Sequence, residues 1–208
     1  LRPTAANAAD ALLVGDPGRA LMLAQELLRQ PKMSNHARGL WGYTGLTHGG
    51  YELTIQSTGM GGPSATVVLH DLAELGVRRA VRIGTCASLG KPGLGELVVA
   101  REARAGDGPG LRPDADLLVA LRRELAHSKE VAVASLDALQ RHLDAAPRQG
   151  DVADLQSAAL LGAGEKLGIA IAVLLLVTES DGGGLIEDED LEAAAKRAGA
   201  AAVAALSP

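Results

Sequence analysis

The sequence predicts an α/β sandwich with a mostly parallel central sheet. Three observations point there. Residues 53–83 read as a strand, a helix and a second strand, the unit that makes parallel pairing. Apolar strands alternate with amphipathic helices along the chain, joined by short connections. Residues 170–177, AIAVLLLV, form an unbroken apolar run of strand length, as a strand covered on both faces requires.

In the first unit, Leu53, Ile55 and Ser57 alternate and lead into the turn Gly59-Met60-Gly61-Gly62. Pro63 suits the first residue of a helix, where its missing N–H would be unpaired anyway. That helix carries Val67, Val68, Leu69, Leu72 and Leu75 and stops at Gly76. The strand Ala80-Val81-Arg82-Ile83 follows and ends on Gly84-Thr85-Cys86. Both strands finish in glycine-rich loops, the edge where open α/β sheets bind ligands. A guanidinium in a buried strand is costly without a partner, so Arg82 must face an anion there.

Before this unit, residues 11–15 read as a strand, 16–19 as a turn and 18–29 as an amphipathic helix. The GDPGR turn offers backbone N–H groups and an arginine at a helix start, a site suited to an anion, although Asp and Pro also suit an ordinary turn. Residues 31–38 read as a loop, and 40–45 with 51–57 as a hairpin turning at Gly49-Gly50. After it, 97–100 read as a strand and 101–113 as a Gly- and Pro-rich charged loop. Residues 114–127 have helical spacing with Asp114 as N-cap. Residues 130–135 read as a strand, 155–167 as a helix and 169–177 as the most apolar strand. A polar loop at 178–184 precedes a last helix over 187–206, acidic at its start as the helix dipole favours. Residues 137–150 show no clear period.

The chain has 208 residues, enough for one domain with a sizeable core, and a single domain over 1–208 is expected. Its net charge of −5 argues against nucleic acid or an anionic membrane as partner. Trp41, Tyr43 and Tyr51 are the only aromatics, too few for a base-stacking platform. The single cysteine, Cys86, excludes an internal disulfide and a multi-cysteine metal site. No signal-peptide pattern and no membrane-length apolar run is visible, and a cytoplasmic location is expected.

Four segments, GDPGRA at 15–20, RGLWGYTG at 38–45, STGMGGPSA at 57–65 and RIGTCASLG at 82–90, together resemble the nucleoside phosphorylase family, in its hexameric purine nucleoside and uridine phosphorylase branch. The resemblance is strongest over residues 10–100. It implies a three-layer α/β sandwich with a central mixed, mostly parallel sheet. It implies phosphorolysis of a ribonucleoside to a free base and ribose 1-phosphate, with inorganic phosphate as co-substrate and no metal or organic cofactor. Gly15, Arg19, Arg82 and Thr85 match the family's phosphate-binding positions. Arg38 matches an arginine that reaches into a neighbouring subunit's site, so a homo-oligomer, dimer or hexamer, is implied. Each arginine taken alone has a simpler role, pairing with a carboxylate of its own chain. The three together suit a phosphate dianion.

By the same resemblance, Met60 packs on the ribose, and Cys86 and Ala87 lie beside the base. The family's V-E-M-E-[AS]-A segment corresponds to Ala153-Asp154-Leu155-Gln156-Ser157-Ala158. Gln156, with Asp154 nearby, is thereby placed on the sugar hydroxyls, and Leu155 on the base. Gln156 lacks the charge of the family's glutamate, which would stabilise a cationic sugar. Purine enzymes carry V-S-D where this chain has Val177-Thr178-Glu179, making Glu179 the acid for the leaving base, with Asp181 as rival; a solvated acidic loop is the plain alternative for both. Gln140-Arg141 and Arg148-Gln149 lie near the uridine branch's base clamp, and Leu139 takes its stacking position, all without the family spacing. A purine nucleoside phosphorylase is the leading reading and a uridine phosphorylase the next. A phosphate- or nucleobase-binding homologue without turnover, and a hydrolytic nucleosidase, complete the set.

Overall fold

The structure is a computed structural model that describes residues 1–90, 92–137 and 150–207. Nine strands and five α-helices are formed among these residues, in the order β1 (Asp10–Val14), α1 (Pro17–Leu27), β2 (Leu28–Asn35), β3 (Gly42–Thr47), β4 (Glu52–Ser57), α2 (Gly61–Glu74), β5 (Arg79–Ser88), β6 (Leu97–Ala105), α3 (Ala115–Glu124), β7 (Lys129–Ser135), β8 (Val152–Asp154), α4 (Ser157–Leu167), β9 (Ala170–Glu179) and α5 (Asp188–Leu206). The sheet runs β2-β3-β4-β1-β5-β8-β7-β6-β9, and β5 also pairs with β9. Strands β5, β9, β6, β7 and β8 therefore close on themselves. β1 pairs in parallel with both β4 and β5, and β5 with β9; antiparallel pairs join β2 to β3, β3 to β4, β5 to β8 and β6 to β9. This is the expected mixed, mostly parallel sheet.

Strand alternation assigns the two cores. Ala11 and Leu13 of β1 and Val173, Leu175 and Val177 of β9 pack with Val68, Leu69 and Leu72 of α2 and Leu160 and Leu161 of α4. Leu12 and Val14, with Ala172 and Leu174, pack on the other face with Leu23 of α1, Leu117 and Leu121 of α3, and Ala198 and Ala202 of α5. Helices thus cover both sheet faces, which makes three layers. Leu12, Leu13, Leu69, Leu174 and Leu175 are wholly buried, and each such side chain contributes roughly 1.5–3 kcal/mol relative to exposure.

Several elements differ from the sequence expectation, among them β8, where no strand was read. Residues 28–35 form a strand where a loop was expected at 31–38. This edge strand has a register shift between Arg29 and Lys32, so Pro31 falls where no ladder N–H is required. α2 begins at Gly61, which makes Pro63 its third residue. β5 runs on through Gly84 to Ser88, because its end pairs with β8 as well as with β9. β6 continues to Ala105, paired with β7, so only the latter part of 101–113 is irregular. The Asp114 cap matches the expectation: its carboxylate accepts from the Leu117 N–H at 3.0 Å.

Candidate active site

A cavity of about 570 Å³ opens where β1, β4, β5 and β9 end, bounded by the turn after β1, the turn after β4, the second half of β5 and the residues around β8. Its first wall is the turn into α1. Asp16 is the N-cap, and its side chain accepts from the Arg19 N–H at 2.7 Å. The free donors expected at this helix start are thus partly taken by the chain's own carboxylate. Gly15 faces the next turn, where an added Cβ would lie 3.4 Å from the Gly59 carbonyl oxygen. The Arg19 side chain lines the cavity. Its guanidinium has no hydrogen bond or ion pair to another described residue. Burial lowers its pKa, the Asp16 charge opposes that, and the positive charge of Arg82 adds to it. The two arginines therefore feel each other across the cavity.

Arg82 faces an anion, as a buried guanidinium requires. It is only 4% exposed, and the anion it faces belongs to its own chain. Its Nη2 donates to Asp154 Oδ2 at 2.9 Å, its Nη1 to Gln156 Oε1 at 2.6 Å and its Nε to Ser157 Oγ at 3.3 Å. Asp154 also accepts from Ser135 Oγ at 2.6 Å, from Ser157 Oγ at 2.7 Å and from the Ser157 N–H at 3.0 Å. A buried carboxylate at a helix start is stabilised by that backbone donor and by the dipole of α4. Gly84 makes room for the arrangement: a Cβ there would sit 2.5 Å from Arg82 Nη2 and 2.7 Å from its Cζ. A guanidinium carries five N–H donors, so Arg82 still has donors left for a ligand.

The residues aligned with the sugar positions are held by their own chain. Gln156 is 3% exposed and fully engaged. Its Oε1 accepts from Arg82 and from Thr58 Oγ1 at 3.1 Å, and its Nε2 donates to the carbonyls of Gly59 at 2.7 Å and Gly61 at 3.3 Å. No lone pair or N–H of this amide is left for a sugar hydroxyl. Asp154 is likewise committed, to Arg82 and the two serines. Met60, by contrast, is 79% exposed at the cavity mouth. It projects from a turn held by Gly59 at φ 71, where an added Cβ would also lie 2.7 Å from Ser64 Oγ.

Cys86, Ala87, Leu155, Thr178 and Glu179 also line the cavity. Cys86 is buried and its sulfur donates to the Leu176 carbonyl at 3.6 Å. Burial pushes its thiol pKa up, with the Asp154 charge adding and Arg82 opposing. Glu179 ends β9 half-buried, and its carboxylate pairs with no other described residue. Asp181 is exposed and lies outside the cavity lining. Thr85 lines the cavity with no hydrogen bond from its hydroxyl to a described residue. Arg38 is exposed, at a positive φ of 59, and does not reach the cavity of its own chain. Leu139, Gln140, Arg141, Arg148 and Gln149 lie outside the described residues.

Sequence reading missed Ser135, Ser157 and Thr58, which hold Asp154 and Gln156 in place. Ser157 alone had a local signal, three residues after an Asp at a helix start. Ser135 is 19 residues from Asp154 and Thr58 is 98 from Gln156, and no local pattern links such pairs.

The family model described as the phosphorylase superfamily matches residues 10–207. A protein named purine nucleoside phosphorylase DeoD-type from Oceanobacillus iheyensis is 42% identical over 81 residues, 38% of this chain and 34% of that protein. Its namesake in Streptococcus suis is 40% identical over 94 residues, 44% of this chain and 39% of that protein. A third, from Clostridium beijerinckii, is 37% identical over 103 residues, 49% of this chain and 43% of that protein. The matched stretches thus span between about a third and somewhat under half of these curated relatives.

Proposed function

The chain belongs to the phosphorylase superfamily, and on that premise we propose that it is a nucleoside phosphorylase acting on purine nucleosides, with inorganic phosphate as co-substrate and no metal or organic cofactor. The observation that carries this reading is Arg19, a half-buried guanidinium that lines the cavity without a partner among the described residues, beside Arg82 and the Thr85 hydroxyl. A cation held like that is costly unless a ligand anion completes it. Phosphate fits the donors by charge and by geometry. A phosphate oxygen forms the new bond to the anomeric carbon, the C–N bond to the base breaks, and the base takes a proton. Glu179, which also lines the cavity, is the proposed source of that proton. Positioning of the two substrates supplies much of the rate. Arg38, exposed and unpaired among the described residues, is proposed to complete the anion site of a neighbouring copy in a homo-oligomer.

The names of the relatives favour purines over uridine. A second reading, a phosphate- or nucleobase-binding homologue without turnover, is favoured by one observation: Gln156 is saturated by its own chain and leaves the sugar no ligand there. One experiment separates them. Inosine, adenosine, guanosine and uridine are each incubated with the protein, with and without phosphate, and free base is measured. Phosphate-dependent release of purine supports the first reading. Phosphate binding without release supports the second, and release indifferent to phosphate indicates a hydrolytic nucleosidase.

A further inference from the structure

We infer that Asp154 is a built-in counter-anion that weakens phosphate binding at Arg82, and not a ligand of the sugar. The inference rests on the anion-site reading above. Arg82 and Asp154 both border the cavity and both are buried, with Nη2 and Oδ2 2.9 Å apart. Asp154 is fixed by donors from Ser135 and Ser157, the latter through both its hydroxyl and its N–H. It does not swing away when a ligand arrives, since that would strand several buried groups at once. A phosphate bound to the remaining donors of Arg82 therefore sits close to a fixed carboxylate of its own sign. Like charges at that range disfavour each other strongly in a buried site. The cation left to hold phosphate in this chain is chiefly Arg19, itself opposed by Asp16. Asp154 thus adjusts how tightly phosphate is held, and keeps Arg82 folded and oriented while the cavity has no ligand.

The test is Asp154→Asn in the full chain. The amide keeps the shape and one acceptor for Arg82 but removes the charge. Titration of inorganic phosphate alone, followed by calorimetry, is expected to give binding about tenfold or more tighter than in the wild type. A merely structural role predicts unchanged or weaker binding. Ser135→Ala removes a hydrogen bond from the same carboxylate without removing charge, and it does not tighten binding. Thermal unfolding keeps the test decisive if the variant is marginal. Phosphate then replaces the missing counter-anion, so its stabilising shift in Tm exceeds that of the wild type. A variant that binds phosphate no more tightly than the wild type, or that saturating phosphate fails to fold, overturns the inference. A wild type that binds phosphate but releases no base from any nucleoside overturns the enzymatic reading alone, and a wild type that binds none overturns both.

Discussion

Gly84→Ala is the sharpest perturbation of this site. The added methyl would lie 2.5 Å from Arg82 Nη2, 2.7 Å from Cζ and 2.9 Å from Leu175 Cδ2. None of these atoms is free to yield. Leu175 is fully buried, and the guanidinium is tied to Asp154, Gln156 and Ser157. Shifting it breaks at least one hydrogen bond to a charged group, about 1.5–3 kcal/mol. Overpacking against Leu175 adds about 1–3 kcal/mol. The expected loss is roughly 3–5 kcal/mol. With a urea slope of about 2 kcal/mol/M, the unfolding midpoint falls by roughly 2 M. Phosphate affinity drops in the same variant, because Arg82 no longer faces the cavity as it did. Gly182→Ala is the control: nothing lies within 4 Å of the added carbon, and its stability stays within about 0.5 kcal/mol of the parent. A Gly84→Ala midpoint shift below roughly 0.5 M with unaltered phosphate affinity would refute the account of how Arg82 is held.

Other outcomes follow from the same contacts. Arg19→Met keeps the side-chain bulk but removes a cation that burial disfavours; stability measured in urea rises by about 0.5–2 kcal/mol while phosphate affinity falls at least about tenfold. Cys86 is buried and its thiol pKa is raised, so iodoacetamide modifies it about a hundredfold or more slowly than in the urea-unfolded chain. The sign of the linked stability effect is fixed by the same shift. The unfolded thiol ionises near pH 8.5 and the folded one higher, so stability is whole below about pH 8.5 and then falls by up to about 1.4 kcal/mol per pH unit. Comparing urea midpoints between pH 8.5 and 10 against Cys86→Ala, which lacks this slope, checks it. Asp114→Ala removes the acceptor for the Leu117 N–H and lowers stability by about 1 kcal/mol; no change in midpoint would mean that this cap is solvent-compensated.

Much of the architecture was written locally. Alternation in β1 and β9 separates the two cores residue by residue. The Asp114 cap and the left-handed Gly168 at φ 67 after α4 mark helix ends, as single-residue chemistry dictates. The glycine turn at Gly59 and the arginine in β5 marked the edge where the cavity opens. They also required an anion opposite Arg82, because a buried guanidinium without one is too costly.

The sequence by itself determined the layers, the edge where the cavity opens and two of the cations that line it, Arg19 and Arg82, since periodicity, caps and turns act over a few residues. Only the tertiary structure decided which anion Arg82 holds. Asp154 is 72 residues away and Gln156 is 74, brought beside it because β5 pairs with β8 at one end and β9 along its length. The same closure extends a strand read over residues 80–83 to Ser88, and sets Asp154 and Gln156 beside an arginine. Such pairings depend on where strands meet, and no local spacing of residues encodes that.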